Sequence, residues 1–189
     1  MSGDAYRAGD IVGVPADHRL ARLCYHVFRP HTKLFHWLII YEYIPEEQDY
    51  IILESIRKGV TVGRLSRYQG SGYRVFRPAV SNPDIGRRAC HELTRYGRNG
   101  YDWLILLTLP FDCLRIIIRQ LIIERRLHPI RPCELPYRVD HRLTCTEAAN
   151  LGWTRVGYPV IPPGVFPLPA AFLEAVRRRR LREVTADGD

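Results

Sequence analysis

Two runs of β-branched and aromatic residues, His36-Trp37-Leu38-Ile39-Ile40-Tyr41-Glu42-Tyr43 and Tyr50-Ile51-Ile52-Leu53-Glu54-Ser55, are separated by the turn-forming Pro45-Glu46-Glu47-Gln48. Such runs around a polar turn predict a β-hairpin. An even register, with residue 36 facing residue 56, sets His36 and Glu54 diagonal to one another on one face. An odd register separates them across the sheet. Gly59–Leu65 and Tyr73–Arg77 alternate with period two, predicting two more strands of an antiparallel sheet joined by Gln69-Gly70-Ser71-Gly72. A further short strand is expected at Gly9–Val14, closed by Pro15, and a returning strand at the start of the proline-rich stretch from Val156 to Pro169.

Elsewhere the apolar spacing is helical. Leu20, Leu23, Cys24 and Val27 share one face, and Pro30 stops that helix. Asn82-Pro83 opens another, lined by Ala89, Leu93 and Tyr96 and ended by Gly97. From Leu104 to Ile123 the chain is strongly apolar, but Pro110, Asp112, Arg115 and Arg119 interrupt it, and central charges are costly in lipid. The spacing of 112, 115 and 119 predicts an amphipathic helix, packed on the body, on a partner or at a membrane surface. Residues 128–142 hold three prolines and no period, so they read as a loop. A basic helix is expected over 170–184.

Thr144-Cys145-Thr146-Glu147 then has the T-x-x-E spacing of a capping box, which makes Cys145 the first residue of a short helix that Gly152 ends. Free N–H groups and the helix dipole at that position favour a thiolate, and the same N–H groups suit an oxyanion. Thiol catalysis also needs a histidine and a polar group to orient it. His36 at the head of one strand and Glu54 on the next supply both. His141, four residues before the cysteine on a proline-flanked loop, is a rival base with no evident orienting partner.

Composition narrows the alternatives. At 189 residues, 46% hydrophobic and 25% charged, the chain suits one globular domain of α+β class spanning 1–189. Its net charge is +8 and its pI about 9.5, so an anionic neighbour is expected. The arginines are scattered until residue 177, which argues against a nucleic-acid interface. Cys24, Cys90, Cys113, Cys133 and Cys145 are odd in number and widely spaced, so no disulfide framework is implied. The Cys24/His26/His31, Cys90/His91, His128/Cys133 and His141/Cys145 groups lack paired metal-ligand spacing, and no phosphate-cradling glycine loop is present. No metal or cofactor is therefore expected. The polar N-terminus shows no signal peptide, which points to a cytoplasmic setting with reduced thiols.

In order and spacing, Gly9-Asp10-Ile11, His36, Glu54-Ser55, Tyr101-Asp102 and Cys145-Thr146-Glu147 resemble the permuted papain-like cysteine hydrolases, specifically the YiiX-like group. That group is related to NlpC-type cell-wall peptidases and to lecithin–retinol acyltransferase-like enzymes. The resemblance spans residues 9–169. It implies an antiparallel sheet packed on helices, with Cys145 as nucleophile, His36 as base and Glu54 as orienting group. Cys145, Tyr101 and Thr146 are the expected oxyanion or substrate contacts. Phe35 departs from the group's small or hydroxyl residue before the histidine, which narrows the cleft, and the apolar 104–126 stretch is longer than the pattern. The expected activity is hydrolysis of an amide in a peptide or cell-wall peptide. The alternatives are an ester or acyl-lipid hydrolase using the same residues, and a non-catalytic binding module. A membrane-surface contact through 104–126 and an oligomer are further expectations.

Overall fold

The computed structural model describes all residues except 1–4, 17–18, 57, 81, 98–99, 138–142 and 186–189. His141, the rival base, lies outside the described residues.

The hairpin forms the centre of the sheet. Strands β2 (Leu34–Ile44) and β3 (Asp49–Ile56) pair antiparallel with Leu38 opposite Glu54. Carried two residues further, this register sets 36 against 56, so the even alternative holds. Around them run β1 (Ile11–Pro15), β4 (Gly59–Arg64), β5 (Arg74–Pro78) and β6 (Leu181–Val184), giving a six-stranded antiparallel sheet in the order β4-β3-β2-β1-β5-β6. The chain is thus α+β, with helices α1 (Arg19–Val27), α2 (Pro83–Thr94), α3 (Trp103–Arg119), α4 (Cys145–Arg155) and α5 (Pro169–Arg177).

The period-two alternation divides the sheet's side chains between two cores. Ile11, Trp37, Ile39, Leu53 and Phe76 meet α2, α4 and α5 on one face. Val12, Leu38, Ile40, Ile52 and Val75 are covered on the other by Leu65 and Tyr68. The cover exists because β4 and β5 are not neighbours. Their connection starts with a 3-10 turn at Leu65–Tyr68 and leads from the β4 edge to β5, which lies beyond β1. Sequence adjacency alone suggested a simple turn there. A third core, built on Phe28, Ile105, Ile130 and Phe166, joins α1 and α3 to the late proline-rich segment beyond the end of the sheet.

Three expectations are corrected. Val156–Leu168 forms no strand, because prolines at 159, 162, 163 and 167 lack the N–H that a ladder requires. The C-terminal helix stops at Arg177 rather than 184. Arg179 turns left-handed (φ 57), and Leu181 and Val184 are buried as β6 pairs with β5. Gly152 does not end the cysteine helix, which runs on to Arg155. It marks a close approach instead, since a Cβ there would lie 2.6 Å from the Ala89 carbonyl oxygen of α2.

The long apolar run forms one helix despite Pro110, followed by a wider π-helical turn at Gln120–Glu124. Buried Asp102 caps it by accepting from the Ile105 N–H at 3.1 Å. Near the N-terminus, Asp10 forms a buried bidentate pair with Arg77, at 2.9 and 2.8 Å, which ties β1 to β5.

Candidate active site

Cys145 is held by local chemistry first. The Thr144 hydroxyl accepts from the Glu147 N–H at 3.2 Å, and the Glu147 carboxylate accepts from the Thr144 N–H at 2.8 Å, completing the capping box. Glu147 is thereby committed to the cap. Tertiary contacts then register the helix start against the sheet. The Ser55 hydroxyl on β3 donates to the Leu143 carbonyl at 2.8 Å, and the Cys145 thiol lies 3.8 Å from the Phe35 carbonyl oxygen on β2. Ser55 shares the face of Leu53, on which α4 packs, whereas Glu54 points to the opposite face.

His36 bridges the two faces from the start of β2. Its Nε2 donates to Glu54 Oε2 at 2.9 Å, and its ring is also hydrogen-bonded to the Cys145 side chain. With Nε2 engaged by the carboxylate, Nδ1 is the nitrogen left for the thiol. Cys145, His36 and Glu54 therefore come together from positions far apart in the chain.

Glu54 is only 1% exposed, and three donors hold it. Besides His36, Tyr68 donates to Oε2 at 2.5 Å and Arg67 to Oε1 at 3.1 Å. Gly63 on β4 leaves room for the carboxylate, since a Cβ there would lie 2.9 Å from Oε1. Sequence reasoning missed Arg67 and Tyr68. They belong to the crossing connection, and no local spacing shows that it passes over Glu54.

The charges are arranged in series. Burial opposes the imidazolium, but hydrogen bonds to Cys145 and Glu54, together with their charges, outweigh it and push His36 up to about 9. Burial also favours a neutral Glu54, yet hydrogen bonds from His36 and Tyr68 keep its carboxyl below the usual carboxylate range. Burial and the neighbouring carboxylate push the Tyr68 hydroxyl up, so it stays a donor. Burial drives Cys24 and Cys113 up to about 11 and Cys90 to about 12, which keeps them protonated at neutral pH.

Tyr101, named from the sequence, stands against Cys145. Its hydroxyl is hydrogen-bonded to the Cys145 side chain and accepts from the Cys145 backbone N–H, and burial with the nearby thiol pushes its pKa up. The phenol oxygen thus occupies the place at the helix N-terminus where an oxyanion would be received. Thr146 is buried behind it, its hydroxyl 3.1 Å from that of Thr144, and it lines the same cleft.

The cleft has a volume of about 630 Å³ and has His36, Tyr101 and Cys145 in its wall. Val27 and Phe28 from the α1 side, Leu109 and Ile117 from α3, and Phe166 and Leu168 from the proline-rich segment make most of it aliphatic or aromatic. Phe35 also lines it, as the sequence suggested.

No protein-family model and no curated protein matches the chain. Its fold does match a solved structure. The crystal structure of the metalloprotein YiiX from Escherichia coli O157:H7 aligns with a TM-score of 0.61 over 95% of this chain and 96% of that one, at 13% identity. This chain accordingly has a YiiX-like fold. Among the described residues no group of three or more His, Cys, Asp or Glu side chains converges as ligands would.

Proposed function

We propose that this chain is a thiol hydrolase of permuted papain-like type that moves an aliphatic acyl group from an amide or ester to water through Cys145. The single observation that carries the reading is the His36 ring, bonded to the Cys145 thiol and to the buried Glu54 carboxylate in the wall of an apolar cleft. In the first half-reaction Sγ attacks the carbonyl carbon. The carbonyl oxygen takes over the Cys145 N–H from Tyr101, whose hydroxyl then becomes a second donor to the developing oxyanion. His36, protonated at neutral pH, gives its proton to the leaving nitrogen or oxygen, and the C–N or C–O bond breaks to leave a thioester. In the second, neutral His36 takes a proton from water, whose oxygen attacks the thioester carbon, and the carbon–sulfur bond breaks to release the carboxylic acid and restore the Cys145 thiolate beside protonated His36. Glu54, anchored by Tyr68 and Arg67, keeps the imidazole oriented through both steps.

The lining favours an acyl chain over the peptide or cell-wall peptide that the resemblance suggests. A bound peptide brings an N–H and a C=O per residue, and each needs a partner when removed from water. Few polar side chains line this cleft to provide one.

p-Nitrophenyl esters of increasing acyl length, with mass mapping of the adduct, test the reading. The expected result is an acyl adduct on Cys145, faster with longer chains, and an acylation rate lowered about a hundredfold or more by His36→Ala. Absence of the adduct, or indifference to His36→Ala, would leave only a binding module. A rate that falls with chain length would instead sink the acyl assignment and return a peptide substrate to first place.

A further inference from the structure

One face of α3 has no partner in the fold. Leu104, Leu107, Phe111, Leu114, Ile118 and Leu121 recur at alternating steps of three and four residues, so they form a single stripe along the helix. All six are exposed, Phe111 by 74%. The apolar surface widens past the stripe, with Ile122 and Ile123 at 71% and 70% exposure in the π-helical turn. A contiguous exposed surface of this kind marks a contact site.

The borders of the stripe indicate what covers it. Helical spacing places Arg115 and Arg119 along one border, and Arg125 and Arg126 lie just past its end. All four are exposed, and none forms an ion pair with another described residue. At the other border, Pro110 and Leu114 belong both to the exposed side and to the wall of the cleft that contains Cys145. The apolar surface therefore runs without a polar break from the outside of α3 into the cleft. A second copy of the chain fits less well. Its helix would cover a narrow seam and leave Ile122 and Ile123 in water. The positions flanking that seam, Thr108, Pro110, Arg115, Ile117, Ile122 and Glu124, offer one carboxylate for the arginines, and Glu124 is already paired with His128.

We propose that α3 and its π-helical turn lie flat on an anionic lipid surface, with the apolar stripe among the acyl chains and the arginines at the headgroups. Among the described residues no helix is long and apolar enough to cross a membrane, which suits a helix lying in the interface. The docking does not depend on the thiol chemistry, and a protein without hydrolase activity would still bind. Where both hold, a lipid acyl group reaches the cleft along Leu114 without crossing water.

Flotation of the full chain with vesicles of phosphatidylcholine, alone or mixed with phosphatidylglycerol, tests the proposal. Strong partitioning is expected onto the anionic vesicles. Leu107→Ser with Phe111→Ser lowers it about tenfold or more, and each of Arg115→Gln and Arg119→Gln lowers it about fivefold. These side chains are exposed, so the variants should keep the wild-type circular dichroism and melting temperature. A Phe111→Trp variant adds a direct reading, because brominated acyl chains should quench its fluorescence beyond the wild-type level. Failure to float, flotation indifferent to the serine pair, or quenching of the Phe111→Trp variant no greater than that of wild type would overturn the proposal. So would a soluble dimer that the serine pair dissociates, which would make a second copy the occupant.

Discussion

Replacing Glu54 by Gln keeps the shape of the side chain and removes its charge. The perturbation is confined, because the carboxylate is 1% exposed and its partners are His36, Tyr68 and Arg67. An amide oxygen can still accept from His36 and Tyr68 at the Oε2 side, but its NH2 then faces the Arg67 guanidinium. Arg67 is 62% exposed and can turn to water. The lasting loss is the pairing with His36. A histidine raised from 6.5 to about 9 has about 3 kcal/mol of preference for its charged form, shared between the carboxylate and the thiol.

The expected cost of Glu54→Gln is therefore about 1–3 kcal/mol, with His36 titrating at least about one pH unit lower. The pH dependence has a defined sign. His36 is raised in the folded state, so its contribution is fully present below about 6.5 and is lost as pH rises through about 9. Glu54 is lowered, so its contribution is present above 4.5 and is lost as pH falls below that through its folded value. The stability gap between wild type and variant should be widest from about pH 5 to 6.5 and close above about 9. Urea unfolding across this range, with the His36 ring followed by NMR, measures both quantities. A gap that does not change with pH, or an unmoved His36 titration, would refute the series arrangement.

Two further outcomes are expected. Tyr101→Phe removes the hydroxyl bonded to the Cys145 thiol and N–H, and should lower kcat about a hundredfold with little change in KM, measured on the ester series. An equal loss in alkylation of Cys145 by iodoacetamide would show that the phenol acts on the thiol instead of the oxyanion. Arg77→Ala strands the fully buried Asp10 carboxylate and should cost about 3–5 kcal/mol, lowering Tm by roughly 10 °C. Calorimetry of Arg77→Ala with and without Asp10→Asn checks this, since neutralising the stranded acid should recover part of the loss.

Local pattern was enough for much of the fold and for the elements that carry Cys145, His36 and Glu54. The Thr144–Glu147 capping box places Cys145 at a helix start because caps act over three residues, and the hairpin runs place His36 and Glu54 on adjacent strands because the apolar runs and the turn are contiguous in sequence. The elements whose positions depend on distant pairing were not legible in the same way. Leu181–Val184 follows an arginine run that continues the helix on local propensity, and it is a strand only because β5 offers it an open edge. The helix over 103–119 tolerates Pro110 because its place is set by packing against α1 and Phe166, which propensity does not register.

By itself the sequence determined the thiol at a helix N-terminus, the histidine and carboxylate on one hairpin, and an excess of arginine. Only the tertiary structure decided the register that sets His36 beside Glu54, and the crossing connection that brings Arg67 and Tyr68 over the carboxylate. It also decided that the apolar face of α3 is continuous with the cleft. The physical reason is the same in each case. Caps and periodicities are interactions between residues a few positions apart, whereas a histidine–carboxylate pair, its anchor and its cleft are contacts between surfaces that meet only after the sheet has formed.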